Sequence, residues 1–424
     1  MIKVWSDGRA AGTLDRMPSR ARNGSQERGT VFAYLPDASQ ERAISVTMPV
    51  RLQSWDTAGG LAPILEMNLP EGALRERVRL AFAKATGSFD DFDLLSVVGR
   101  SQMGRVRYSG ADDQLDDGVP FQSVDEILAG RRDGDLFRYL MDRFAAGSGI
   151  SGVQPKVLIR DDQAFALSNP GSANAKQRLS LSYRGATHIV KLWNPDEFPQ
   201  LAANEFFCLE VARRCGLHLP VYRLAEDGLA LVIDRFDLRL EGEGRIYRGL
   251  EDFCVLNARR TDEKYRGSYE TSIMNRFQQF SNSPHVFEDL ENLFTLVALN
   301  CALRNGDAHL KNFAILYDDV LGEARLSPVY DVVTTTVYLP QDRMALTMDG
   351  STHWPHAKTL RAFGEKRMMG SPAQIRQILE RIADAIAATA IELQSYAREH
   401  PAFAPVAERM LKEWEAGRRQ SLLG

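Results

Sequence analysis

Short runs of apolar residues alternating with polar ones open the chain, at residues 1–5, 29–34 and 97–108, and this spacing predicts strands separated by turn residues. Residues 73–86 space their apolar positions as a helix does, so the first stretch reads as a small β-rich unit. A polar segment over 110–118, rich in Asp, Gly and Gln, predicts an exposed linker. Strand patterns follow at 156–160 and 188–192, then a helix at 202–215 and a strand at 230–236: a sheet with one packed helix. Beyond residue 250 the spacing turns helical, as at 286–301. A polar break at 304–311 is followed by two short apolar runs, 313–317 and 326–330, and then by a helix over 373–396 with one apolar face. The pattern predicts an α+β chain in three stretches: 1–110, 111–240, and a mainly helical 241–424.

Composition narrows the function. A chain of 424 residues with 44% apolar and 25% charged residues is large and mixed enough for a packed protein of more than one domain. Its formal net charge of -4 lacks the cationic surplus of a protein that grips nucleic acid directly. No apolar run is long enough to span a membrane, and the start lacks a secretory apolar stretch, which predicts a cytoplasmic protein. Cys208, Cys215, Cys254 and Cys301 show no metal-ligand spacing and read as buried free thiols.

The richest chemistry sits in Asn305-Gly306-Asp307-Ala308-His309-Leu310-Lys311-Asn312. In phosphoryl transfer by kinases, an Asp orients the acceptor hydroxyl and an Asn five residues on binds magnesium; Asp307 and Asn312 have that spacing. Asp331, in Pro328-Val-Tyr-Asp331, follows an apolar run and is suited to be a second metal ligand, although an acid there also serves as a turn or cap. Lys191 in His188-Ile-Val-Lys191 is a strand lysine able to meet phosphates, or an ordinary edge charge. Glu205, in Asn204-Glu205-Phe-Phe, either pairs with it or is a first-turn charge behind an Asn204 N-cap. The small residues Gly147-Ser148-Gly149-Ile150-Ser151-Gly152-Val153 either let backbone amides approach phosphates or form a plain turn. Asp234-Arg235-Phe236-Asp237 ends a strand as an adenine hinge or as a solvated turn. His309 is expected to brace the loop and His188 to be a strand residue; neither has the partners of a zinc site.

Together these segments resemble the HipA family of bacterial toxin kinases over nearly the whole chain. The resemblance is carried by the stretch Asn204 onward (NEFFCLEVARRCGL), by NGDAHLKNFAIL from Asn305, and by LSPVYDVV from Leu326. It implies a two-lobed protein-kinase-like fold, with a small β-rich N-terminal subdomain and a helical C-terminal lobe. It also implies ATP and magnesium as cofactors and serine/threonine protein kinase activity. By the same resemblance Asp307 is catalytic, Asn312 and Asp331 are metal ligands, and Lys191 binds phosphate. Ser151, Gly152, Val153, Asp234, Arg235, Phe236, Glu205, His309 and Lys311 complete the nucleotide site. Met67-Asn-Leu-Pro70-Glu-Gly72 is similar to the first subdomain of long family members. The family's self-phosphorylated serine falls at Gly149 here, so Ser151, or less favourably Ser148, takes that role. The implied partners are a helix-turn-helix antitoxin of the HipB kind, operator DNA held mainly through it, and an aminoacyl-tRNA synthetase as substrate, with inhibited translation and growth arrest as outcomes. Two other functions share these features: an inactive kinase-fold co-repressor bound to its antitoxin, and a small-molecule phosphotransferase.

Overall fold

The computed structural model describes residues 1–17, 28–86, 89–130, 136–169, 184–193, 197–241 and 244–423. It divides into two compact units. The first comprises Met1–Leu192, Val232–Thr261 and Leu316–Glu323; the second comprises Trp193–Leu231, Asp262–Ile315 and Ala324–Gly424.

The first unit opens with an antiparallel sheet of β1 (Ile2–Ser6), β2 (Arg9–Arg16), β3 (Thr30–Tyr34), β4 (Trp55–Thr57) and β5 (Val106–Gly110), in the order β4-β3-β2-β1-β5. Alternation decides its faces: β1 and β3 bury every second residue, so Ile2, Val4, Phe32 and Tyr34 share a core. Two further strands, β6 (Lys156–Ile159) and β7 (His188–Leu192), pair antiparallel with every residue buried, and the end of the strand Ala230–Asp234 lies beside β7.

The strand expected over 97–108 is shorter than predicted. A capping box between Asp90 and Asp93 starts the helix Asp91–Val98, and Gly99 closes it. Only Val106–Gly110 remains to pair with β1. The 110–118 segment is mostly exposed, but it is anchored: the Asp117 carboxylate accepts from Tyr247 (2.8 Å) and from Arg245. The helix Asp162–Ser168, capped by the Asp161 side chain, has no counterpart in the sequence reading.

The second unit is built on the helix Val286–Ala302, whose later turns are buried on all sides by Leu293, Phe294, Val297, Ala298 and Leu299. The helix Pro372–Glu399 buries the stripe Ile375, Ile378, Leu379, Ile382 and Ile386. Its start carries two signals, the Ser371–Gln374 capping box and a proline in the first turn. The helix Leu201–Arg214 begins before Asn204, so Asn204 is not its N-cap; Gln200 stands there in a left-handed conformation. Of the apolar run 326–330 only Leu326 belongs to a strand, Ala324–Leu326, and Pro328 beyond it has no N–H to give a ladder. All four cysteines are buried and free. Among the described residues no helix is long and apolar enough to cross a membrane.

Candidate active site

The polar loop starts where the helix Val286–Ala302 stops. Arg304 turns the chain at φ +60°, a conformation that side-chain-bearing residues seldom adopt. The Asn305 amide then donates to Asn300 O (2.9 Å), while Asn305 Nδ2 donates to Asn300 Oδ1 (2.8 Å) and to Asp331 O (3.4 Å). Asp331 is itself left-handed at φ +56°. Two strained residues are thus tied through one buried asparagine, the kind of stored strain that gathers at working sites.

Several bonds frame this junction. Thr335 Oγ1 accepts from the Gly306 amide (2.8 Å) and donates to Arg304 O (3.1 Å). Asn204 clasps the backbone of Thr334, accepting from its N–H (3.0 Å) and donating to its carbonyl (3.1 Å). Trp414 Nε1 donates to Thr334 Oγ1 (2.7 Å). Tyr330 reaches back from the residue before Asp331 to Lys311 O (3.0 Å). The segment around Asp331 is therefore fixed to the loop that carries Asp307.

His309, Lys311 and Asn312 are buried, while the Asp307 side chain is 55% exposed and so open to an acceptor. His309 N–H donates to Asn312 Oδ1 (3.2 Å) and to Asp307 O (2.7 Å), which sets the asparagine's rotamer. Tyr265 donates to Asp307 Oδ1 (2.6 Å), and His309 Nε2 lies 3.9 Å from the same oxygen. Loss of water around the carboxyl raises the Asp307 pKa, and the negative charges of Asp331 and Asp342 add to the rise; the Tyr265 hydrogen bond and the Lys264 charge oppose it. Asp307 and Asp331 thus share one negative field. A hard divalent cation suits such a field, with the Asp331 carboxylate and Asn312 Oδ1 as the oxygen donors able to hold it.

Glu205, in the same unit, is fully buried on its helix. Sequence reasoning assigned no role to Tyr265, Lys264 or Thr335. Their positions near Asp307 come from tertiary packing, and no spacing along the chain marks them.

The first unit gathers a second group. Lys191 on β7 lies directly across from Lys156 on β6, so both side chains leave the same face of the sheet, and both residues are 3% exposed. Lys156 has no role in the sequence reading; only the strand register shows it beside Lys191. Its Nζ donates to Ser151 O (3.1 Å) and curls over Gly152, whose φ of +114° a side chain would not tolerate. Val153 is exposed at the loop tip.

The serine candidates differ sharply. Ser148 is fully buried, its hydroxyl donating to Phe144 O (2.7 Å) and accepting from Leu158 N–H (2.8 Å), so it is a structural residue. Ser151 is partly exposed on the loop. At Gly149 a Cβ would lie 2.5 Å from Gln102 Cβ and 2.8 Å from Ser101 O, which explains the absence of a side chain there. The Asp234 to Asp237 turn is also not solvated. Asp234 accepts from Asn169 (3.3 Å) beside His188, and Arg235 grips Asp237 through two nitrogens (3.0 and 2.6 Å). Arg235 N–H donates to Thr187 O (2.9 Å), so the sheet already uses one backbone donor of the stretch expected to act as a hinge.

Comparison with known proteins agrees over the length of the chain. Residues 2–109 match the HipA N-terminal domain, and residues 148–390 match the HipA-like C-terminal domain. A Sinorhizobium fredii protein named "Putative kinase Y4mE" is 26% identical over 354 residues, covering 80% of this chain and 78% of that one. A second from that organism, "Putative kinase Y4dM", is 27% identical over 67% of this chain and 65% of its own. Among solved structures, the Shewanella oneidensis toxin-antitoxin complex of HipA, HipB and operator DNA superposes with a TM-score of 0.64 at 18% identity, covering 98% of this chain and 97% of that one. The expected α+β, two-lobed fold is therefore that of a solved HipA, and with both domains matched, this chain belongs to the HipA family.

Proposed function

We propose that the protein is an ATP- and magnesium-dependent serine/threonine protein kinase that acts as a HipA-type toxin. The observation that carries this reading is the Asp307 loop: an accessible carboxylate held beside a second one, Asp331, with Asn312 fixed by its own loop backbone. Asp307 would orient an acceptor hydroxyl and take its proton as the phosphate arrives. Asn312 and Asp331 would hold magnesium, which when bound neutralises phosphate charge. Lys191 and Lys156 would bind phosphate oxygens, and Ser151, Gly152 and Val153 would lie beside them, the Gly152 amide already donating to Glu71 (3.2 Å). Asp234, Arg235 and Phe236 would border the base, Glu205 would support the nucleotide site from its helix, and His309 and Lys311 would line the loop. Ser151, with its partial exposure, is the proposed self-phosphorylation site.

The family and the solved relative favour a HipB-like helix-turn-helix antitoxin as partner, with operator DNA reached mainly through it, since this chain carries a net charge of -4. An aminoacyl-tRNA synthetase is the proposed substrate, the cytoplasm the proposed location, and growth arrest the outcome. Purified protein incubated with labelled ATP and magnesium should place phosphate on Ser151, read by peptide mass spectrometry, and on a synthetase in lysate. No transfer to any protein, or transfer only to small alcohols, would overturn the reading.

A further inference from the structure

The tyrosine beside Asp307 has no part in the chemistry described so far. Tyr265 donates its hydroxyl hydrogen to Asp307 Oδ1 at 2.6 Å, although its side chain is among the exposed large ones, with the residue 49% exposed. It is not a loose surface ring. Its edge packs on His309, with centroids 5.0 Å apart at 74°. The backbone of the preceding residue is bonded to the loop, Lys264 O accepting from Leu310 N–H at 3.1 Å, and Lys264 Nζ lies 5.5 Å from the Tyr265 ring centroid. The phenol thus reaches Asp307 from a segment anchored to the loop at Leu310, three residues beyond the carboxylate.

Two roles fit a hydroxyl bonded to a catalytic carboxylate. It either occupies the place of an acceptor hydroxyl, as a plug, or fixes one oxygen so that the other faces the acceptor. A plug must leave easily, whereas this ring is packed on His309 and its chain is tied to Leu310. We propose that Tyr265 is a positioning residue: its hydroxyl holds Asp307 Oδ1 so that Oδ2 is presented to the acceptor hydroxyl, with Lys264 supplying the cation that keeps the pair in place. The proposal rests on the kinase reading above. It assigns no bond-making step to Tyr265; the acceptor proton still passes to Asp307.

The test compares wild type with Tyr265→Phe, Tyr265→Leu and Asp307→Asn at saturating magnesium and ATP, with KM for ATP and thermal unfolding measured on each. Positioning through the hydroxyl predicts that Phe and Leu lower kcat alike, by roughly ten-fold or more, with KM for ATP and Tm held. A packing role predicts that Phe keeps the wild-type rate and only Leu loses it, and a plug predicts that Phe is faster; either result overturns the proposal. If wild type transfers phosphate and Asp307→Asn does not, a silent Tyr265→Phe condemns this inference alone. If wild type transfers none, the kinase reading falls and takes the inference with it.

Discussion

The turn Asp234-Arg235-Phe236-Asp237 and the loop around Asp307 are both rich in acids, yet the structure puts them to opposite uses. In the turn every charge meets its match: Asp237 is fully buried, bound twice by Arg235, and accepts the Gly104 amide as well. In the loop Asp307 is open to solvent, shares its field with Asp331 and Asp342, and its pKa is raised. Carboxylates neutralised by fixed protein partners serve the fold. Asp307, bonded to Tyr265 and facing the charges of Lys264, Asp331 and Asp342, keeps an open side that a cation and an acceptor could use.

The largest effects should separate these two regions by what they damage. Asp307→Asn should lower phosphate transfer by about 10³-fold or more while shifting unfolding stability by no more than about 0.5 kcal/mol, checked by rate assays beside urea melts. Asp237→Ala should do the reverse in kind: stranding Arg235 in a dry place should cost about 3–5 kcal/mol in a urea melt. A variant of Asp237 as stable as wild type would show that the pair is not the brace described here.

Smaller effects sharpen the comparison. Gly149→Ser, which restores the family's serine, should destabilise by about 1–3 kcal/mol, because the new side chain meets Gln102 and the Ser101 carbonyl. Its phosphopeptide map should still show Ser151. The gentlest test is Glu251, fully buried among Ser45, Val46 and Tyr317 donors, whose carboxyl pKa is raised by loss of water. A carboxyl that holds its proton more tightly when folded adds most stability below its ordinary value near 4.5, and loses it as pH rises through the higher folded value. Glu251→Gln should therefore gain on wild type from pH 4.5 toward neutrality in urea melts across pH; a gap that stays constant would contradict the assignment.

Reading the chain alone reached the fold class and the elements whose signals are written in consecutive residues. Asp307 to Asn312 is one loop with one spacing, and the strand and helix periods around it are local, so both were legible. What tertiary register decides was not. Lys156 opens β6 just beyond the glycine-rich stretch, but only the pairing of β6 with β7 sets it against Lys191. Asn204 looked like a helix cap because caps and bridges use the same side chain; its true partner, Thr334, lies 130 residues away. The Asp234 to Asp237 stretch read as either a hinge or a solvated turn, because polarity in sequence cannot show that Arg235 and Asp237 bury each other. The strand expected over 97–108 lost its first residues for a local reason, the helix that the Asp90–Asp93 capping box opens and that runs to Val98.

The most direct measurement is the rate of phosphate transfer from labelled ATP, at saturating magnesium, by wild type, Asp307→Asn and Asp331→Asn proteins shown to be equally folded. The account predicts transfer by wild type and its loss in both variants. Undiminished transfer in either one would contradict it.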